Sequence, residues 1–195
     1  MTPRRKLALV VEYEGTRYHG FQMQRNAPSV QAELEAALYQ LTGERVRVQG
    51  ASRTDAGAHA LAQVAAFVTH SAHPPETVQR ALNFYLPEDV RVRAAAEVPL
   101  GFDPRRHATA RWYRYTILNR PAPSPLLRRF AHWVPEPLDV GAMAAAAAAL
   151  PGTRDFAPLA GPVPPGRSTV RRLLRWEVRR KGDLVLMDAE GNAFL

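Results

Sequence analysis

Apolar residues in the first half of the chain recur with spacings that alternate between those of strands and helices. Lys6–Tyr13 is apolar and β-branched, which is typical of a strand. Ser29–Leu41 has apolar residues at helical spacing, with Ser29 placed to cap its first turn. The remaining predicted elements are a helix at Pro75–Leu86 and strands at Val46–Gln49, Leu61–Thr69 and Asp89–Val98. This order is that of a split-βαβ, ferredoxin-like domain.

The second half begins the same pattern again. Its predicted elements are a strand at Ala110–Asn119, an alanine-rich helix at Leu138–Leu150, and a hairpin formed by Thr169–Lys181 and Leu184–Asp188. A complete second repeat needs one more helix and one more strand, so we expect that this sequence lacks a C-terminal piece or that a partner supplies it. The fold class predicted is α+β, with two pseudo-repeated ferredoxin-like halves, residues 1–100 and residues 101–195, and mainly antiparallel sheets.

Composition narrows the location of the protein. The 195-residue chain has no cysteine, so disulfides, thiolate metal sites and thiol nucleophiles are excluded. No apolar stretch approaches the length of a membrane span. The apolar run after Lys6 is interrupted by Glu12 and is interpreted as a first strand rather than a signal sequence. We therefore expect a cytoplasmic protein with no membrane partner.

The charge indicates a class of partner. Lysine and arginine total 26 against 18 acidic residues, a net charge of +8, and only Lys6 and Lys181 are lysines. The planar guanidinium of arginine suits phosphate groups and can stack on bases. Such an excess is typical of nucleic-acid-binding proteins. The composition of a G+C-rich genome, which also favours alanine and proline, is the alternative explanation.

The segment Ala51–Ala60 carries the most specific chemistry. It places Arg53 and Asp55 two positions apart, in a turn between two strand-like runs. Asp-Ala-Gly favours a tight turn because Asp caps its own turn and Gly accepts a positive φ. A carboxylate at the end of a rigid sheet is a common catalytic arrangement, although most Asp-x-Gly segments are only turns.

A second cluster combines arginines with aromatic residues on the strand that opens the second half. On a strand, Arg111, Tyr113 and Tyr115 share one face, while Trp112 and Arg114 share the other. Arginines interleaved with aromatics suit a stacked base with nearby phosphates. The alternative is an ordinary half-buried strand whose aromatics lie in the core.

Other kinds of site find little support. The close histidine pair His70 and His73 has no acidic or thiol neighbour, so a metal site is not predicted. The sequence contains no phosphate-binding loop, dinucleotide fingerprint or nucleophile elbow. We therefore expect neither a metal nor a cofactor.

Taken together, these segments resemble the TruA family of tRNA pseudouridine synthases. Five stretches match the family's pattern and span nearly the whole chain in the same order: Tyr13–Gln24, Ser29–Leu38, Arg53–His59, Phe102–Tyr115 and Gly152–Phe156. Departures from the pattern include Ser52 for a frequent Gly, Ala58 for a frequent Val and Arg154 for a usual His.

The resemblance implies an isomerase that converts uridine to pseudouridine in the anticodon arm of tRNA, at positions 38 to 40, without a cofactor. It implies that Asp55 is the catalytic carboxylate and that Tyr113 stacks on the flipped uracil. Our hypothesis for Arg53, beside Asp55, is that it stabilises the vacated position of the target nucleotide or a flanking phosphate. It also implies a homodimer and a basic cleft between the two halves. The rival hypotheses are a non-catalytic RNA-binding module and a small-molecule enzyme on the same scaffold.

Overall fold

The structure is a computed structural model that describes residues 3–164 and 166–195. The chain divides into two compact units, Met1–Ala108 and Thr109–Leu195. The elements of the first unit are β1 (Arg5–Tyr13), α1 (Val30–Thr42), β2 (Gln49–Gly50), β3 (Ala60–Thr69), α2 (Pro75–Tyr85) and β4 (Val90–Val98). Those of the second are β5 (Arg111–Asn119), β6 (His132–Val134), α3 (Val140–Ala148), β7 (Gly152–Asp155), β8 (Val170–Lys181) and β9 (Leu184–Gly191).

The first unit is an antiparallel sheet with helices on one face. Its strand order is β2-β3-β1-β4, so β1 lies at the centre and pairs with β3 and β4. Alternate residues of β1, namely Leu7, Leu9 and Val11, have no solvent exposure. They pack against α1 and α2 in a single hydrophobic core. The element order is the one that the sequence predicts.

Helix α1 shows how local sequence sets the element boundaries. The Ser29 hydroxyl accepts a hydrogen bond from the backbone N–H of Ala32, which caps the first turn as predicted. Gly43 adopts a left-handed conformation, φ 71°, and ends the helix. Between these ends, Val30, Leu34 and Leu38 repeat every four residues and are fully buried.

The second unit is a five-stranded sheet in the order β6-β5-β9-β8-β7. Neighbouring strands are antiparallel except for β6, which pairs in parallel with the end of β5. Helix α3 packs on one face through Ala147, which joins a core of Ile117, Val178 and Val185. The α+β class is therefore confirmed. No helix formed by residues 3–164 or 166–195 is long and apolar enough to cross a membrane.

The shortest elements differ from the prediction. The strand predicted at Val46–Gln49 pairs only at Gln49–Gly50. Its earlier part leaves the ladder because the backbone N–H of Val48 donates to the Glu35 carboxylate instead. Strands β6 and β7 were not predicted. They are only three and four residues long, which is too short to show an alternating pattern, and β7 is exposed throughout. The proline content of Pro158–Pro165 favours a loop there. In the structure Pro158 and Leu159 belong to a short 3-10 helix, Ala157–Leu159, and Pro165 lies outside the described residues.

A buried carboxylate crosslinks the second sheet. The Asp188 side chain on β9 is 1% exposed. It accepts hydrogen bonds of 2.7 and 3.0 Å from Arg114 and one of 3.1 Å from Arg179. The hydrogen bond from Arg114 lowers the pKa of the Asp188 carboxyl, and the positive charges of both arginines outweigh the opposing effect of burial. Three strands are thereby joined through one ionised group.

Replacing Asp188 by Asn is expected to lower the free energy of unfolding by about 1–3 kcal/mol at neutral pH, because two arginines lose their charged acceptor. The pKa of Asp188 is lower in the folded than in the unfolded state, so its contribution is present above about pH 4. The contribution is lost as pH falls through the folded-state pKa. Urea unfolding of wild type and variant from pH 7 to pH 3 should therefore show converging stabilities.

Asp183→Asn is the matched control, because Asp183 is 58% exposed in its ion pair with Arg120 and exposed pairs contribute little. A stability difference between wild type and Asp188→Asn that stays constant over this pH range would contradict the assignment.

Candidate active site

The Asp55 loop, Ala51–His59, connects β2 to β3 and is anchored to β3 at its start. The backbone N–H of Ala51 donates to the Val64 carbonyl at 2.8 Å. The side-chain amide of Gln63, which is buried, donates to the Ser52 carbonyl at 2.6 Å. These two hydrogen bonds fix the first residues of the loop to strand β3.

The predicted Asp-Ala-Gly turn is present. The backbone N–H of Ala58 donates to the Asp55 carbonyl at 3.1 Å, which closes a turn over these four residues. Gly57 has a φ of 78°, a conformation that side chains disfavour. The local sequence therefore determines the turn that carries the Asp55 side chain.

A second segment, the glycine loop Glu14–Phe21, holds the Asp55 loop through its backbone. The Gly57 N–H donates to the Tyr18 carbonyl at 3.0 Å, and the Phe21 N–H donates to the Thr54 carbonyl at 3.4 Å. The Gly15 N–H donates to Nδ1 of His59 at 2.9 Å, so this nitrogen acts as an acceptor. The two loops therefore form one hydrogen-bonded unit.

The contact between the loops is too close for side chains at two positions. A Cβ atom on Gly15 would lie 1.9 Å from the Ala58 carbonyl oxygen. A Cβ atom on Gly20 would lie 2.2 Å from the Thr54 carbonyl oxygen, and Gly20 also has a φ of 91°. Both contacts are with backbone atoms, which cannot rotate away. Glycine is therefore required at both positions for this packing.

Two side chains of the glycine loop contact Asp89, the residue before β4, and hold the loop in place. Arg17 forms a two-pronged ion pair with Asp89, and the Tyr18 hydroxyl donates to the same carboxylate at 2.8 Å. Burial raises the pKa of Asp89, but the hydrogen bonds from Arg17 and Tyr18 outweigh it, and the pKa lies below its ordinary value. Burial and the hydrogen bond to Asp89 raise the pKa of Tyr18. Asp89 is therefore ionised and Tyr18 neutral near neutral pH.

The two predicted polar residues of the Asp55 loop are presented to solvent. Asp55 and Arg53 are both exposed. In the described part of the chain, neither side chain has a hydrogen bond or ion pair, including one with the other. A carboxylate on a rigid turn without protein partners is available to a ligand as a nucleophile or a base.

The predicted aromatic cluster lies in the second unit, on β5. Pairing of β5 with β9 places Arg111, Tyr113 and Tyr115 on one face and Trp112 and Arg114 on the other, as predicted. The exposed fractions of Tyr113, Tyr115 and Trp112 are 38%, 54% and 49%, so these aromatics do not form a core in this unit.

Contacts at the β5 residues are specific. The Tyr113 ring meets the edge of Phe194 with centroids 4.9 Å apart. Arg114 lies over the Trp112 ring at 4.9 Å. Tyr113 therefore contacts the Phe194 ring and retains an exposed surface.

Sequence reasoning missed the residues that support the Asp55 loop. Tyr13 shares a 2.8 Å hydrogen bond between its hydroxyl and that of Thr54, and Tyr18 and Asp89 brace the glycine loop. Tyr13 and Tyr18 lie in the matched stretch Tyr13–Gln24, but no sequence pattern linked them to the Asp55 loop. Among the described residues, no three His, Asp or Glu side chains are grouped as metal ligands.

Comparisons with known proteins agree on one family. A family model described as tRNA pseudouridine synthase matches residues 9–105, which include both loops. A protein from Pelobacter propionicus named tRNA pseudouridine synthase A is 43% identical over 191 residues, covering 98% of this chain and 78% of that protein. Another with this name, from Roseiflexus castenholzii, is 50% identical over 196 residues, covering 98% and 72%. A third, from Acetivibrio thermocellus, is 40% identical, covering 98% and 78%.

Gly20→Ala is expected to separate the two loops, because its Cβ would meet the Thr54 carbonyl. Gly43→Ala is the matched control, since Gly43 also has a positive φ but no atom within 4 Å of the added Cβ. Both variants should lose roughly 1–2 kcal/mol from the strained backbone. Hydrogen exchange by NMR should show faster exchange of the Gly57 and Phe21 amides in Gly20→Ala only. Equal exchange in the two variants would contradict the steric argument.

Proposed function

Because the chain belongs to the tRNA pseudouridine synthase A family, it is an isomerase that forms pseudouridine in tRNA, and we propose that it acts with Asp55 on the anticodon arm. The target positions expected are 38 to 40. The observation that carries the role of Asp55 is its exposed carboxylate, without a protein partner in the described chain, on a turn fixed by the glycine loop. Catalytic groups need such positioning from rigid elements.

The reaction needs one carboxylate at the target sugar. The N1–C1′ bond of uridine breaks, the uracil turns, and a C5–C1′ bond forms at the same sugar carbon. C5 loses its proton and N1 gains one, so the product is an isomer and no redox partner is required. Asp55 acts either as a nucleophile at C1′ or as a base at C2′, and its exposure suits both routes.

Arg53 is proposed to bind the RNA beside the target nucleotide. The target base must leave its stack before a side chain can reach its sugar. Arg53 is exposed on the same loop as Asp55, and none of the described residues pairs with its guanidinium. A guanidinium in this position stabilises the vacated position of the nucleotide or a flanking phosphate.

Tyr113 is proposed to stack on the flipped uracil. Its ring is 38% exposed, and its edge-to-face contact with Phe194 fixes the ring orientation. A preoriented aromatic ring is a platform for any nucleobase.

The wider architecture is proposed from strand order. In the first half, residues 1–100, the first strand β1 pairs with β3, and β3 pairs with β2. In the second half, residues 101–195, the first strand β5 pairs in the same way with β9, and β9 pairs with β8. This correspondence supports a pseudo-repeat. The basic cleft between the halves, the homodimer, the cytoplasmic location and the absence of a cofactor stay predictions.

Asp55→Asn is expected to abolish turnover while keeping tRNA affinity, because the amide matches the carboxylate in shape but is neither nucleophile nor base. The measurement is tritium release from tRNA that carries uridine labelled at C5, together with a binding isotherm. Asp183→Asn, the same change at an exposed turn, should keep wild-type release. Appreciable release by Asp55→Asn would exclude the catalytic role. Binding without release by the wild type would favour a non-catalytic RNA-binding module.

Tyr113→Phe should reduce kcat/KM less than Tyr113→Ala if stacking is the main role of this residue. The phenyl ring keeps the stacking surface, whereas alanine removes about 1–3 kcal/mol of base stacking, or roughly fivefold to 150-fold. The same tritium assay measures both variants. Equal losses would assign the effect to the hydroxyl group instead.

A further inference from the structure

Two arginines lie side by side at the outer edge of the second sheet. Arg154 on β7 is directly opposite Arg171 on β8 in the antiparallel register. Residues opposite each other share a face, with Cβ atoms roughly 5 Å apart. Like charges in this position repel each other and destabilise the pair of strands. An anion bound between the two side chains would remove this repulsion.

The part of the chain that the structure describes provides no acidic partner for this pair. Among residues 3–164 and 166–195, neither Arg154 nor Arg171 has a carboxylate within 4 Å. The adjacent acid in sequence, Asp155, accepts hydrogen bonds from the Thr169 hydroxyl and the Ala157 N–H instead. Those hydrogen bonds lower the pKa of Asp155, so its charge is satisfied locally.

One guanidinium nitrogen of Arg171 has no hydrogen-bond partner among the described residues. Its Nη1 donates to the carbonyls of Ser168 and Val170, both at 2.8 Å, which anchors the side chain. Its Nε is buried and has no hydrogen-bond partner in the structure as described, and none is found there for Nη2. The Nε–Nη2 edge is the fork that binds two oxygens of a phosphate. A buried N–H without a partner is rare and calls for an acceptor.

The pair lies on the same sheet face as Tyr113. Leu173 on β8 lies opposite Gly191 on β9, which lies opposite Arg111 on β5. Alternation along each strand then puts Arg171 on the face of Leu173 and Tyr113 on the face of Arg111. Arg171 is two strands across from Tyr113 and about four residues further along, roughly 16 Å by strand geometry.

We propose that Arg154 and Arg171 bind a phosphodiester of the tRNA backbone, a few nucleotides from the uridine stacked on Tyr113. The proposal rests on the proposed function for the position of that uridine. A phosphate between the two arginines cancels their repulsion and accepts from the unpaired edge of Arg171. The like-charged pair is therefore an anion site built into the β7-β8 hairpin.

The test compares Arg154→Gln, Arg171→Gln and the double variant with Arg172→Gln. Arg172 is the matched control because it is the next residue on β8, is exposed, and lies opposite Thr153 on the other face. We expect roughly tenfold weaker tRNA binding for the double variant. The slope of log affinity against log salt should become shallower by about one unit. Arg172→Gln should keep both the wild-type affinity and slope.

Two further measurements separate binding from structure. Without RNA, Arg154→Gln should leave the melting temperature unchanged or raise it, because it removes a repulsion; a purely structural arginine would lower it. Arg171→Lys keeps the charge but loses the two-pronged edge, so it should recover only part of the affinity.

The proposed function and this inference can fail separately. Tritium release by the wild type, with unchanged affinity and slope in the double variant, would overturn the phosphate site and leave the synthase assignment intact. An Arg172→Gln loss equal to that of the double variant would also overturn it, because the effect would then be bulk charge. A shallower slope in the double variant supports the site even where no release is observed.

Discussion

The candidate site depends on a steric constraint: two backbone segments touch where neither can carry a side chain. Gly15 and Gly20 bring the glycine loop into contact with the carbonyl groups of Ala58 and Thr54. Backbone hydrogen bonds then cross between the loops, and the Arg17–Tyr18–Asp89 cluster fixes the glycine loop to the sheet. Asp55 can be exposed and still fixed in position because its position is set by backbone atoms rather than by contacts of its own carboxylate.

The arginines named above fall into two groups, according to whether they pair with carboxylates. Arg17, Arg114 and Arg179 are committed to buried or partly buried carboxylates, where they crosslink elements distant in sequence. Arg154 and Arg171 have no such partner among the described residues. The first group therefore stabilises the fold through ion pairs, whereas the guanidinium groups of the second donate to backbone carbonyls. The net charge alone does not distinguish these groups, because every arginine contributes one positive charge to it.

The long elements of both units were predictable because each buries one face of a regular repeat. Helix α1 and strands β1 and β3 have enough turns or residues for the pattern to be read, and Ser29 marks a boundary. The short edge strands were not predictable. Val48 left its strand because Glu35, thirteen residues earlier, accepts its N–H. Tertiary packing therefore decides whether the Val48 N–H pairs with a neighbouring strand or with a side chain.

The sequence by itself determined the Asp-Ala-Gly turn, the alternation that puts Tyr113 and Arg111 on one strand face, and the family. These properties depend on neighbours within a few positions or on motif order along the chain. Only the tertiary structure decided that Gly15 and Gly20 touch the Asp55 loop, that Asp188 is buried between arginines, and that Arg154 faces Arg171. The physical reason is that each of these contacts joins residues on different strands or loops. Neither hydrophobic periodicity nor local propensity specifies which residue, distant in sequence, makes the contact.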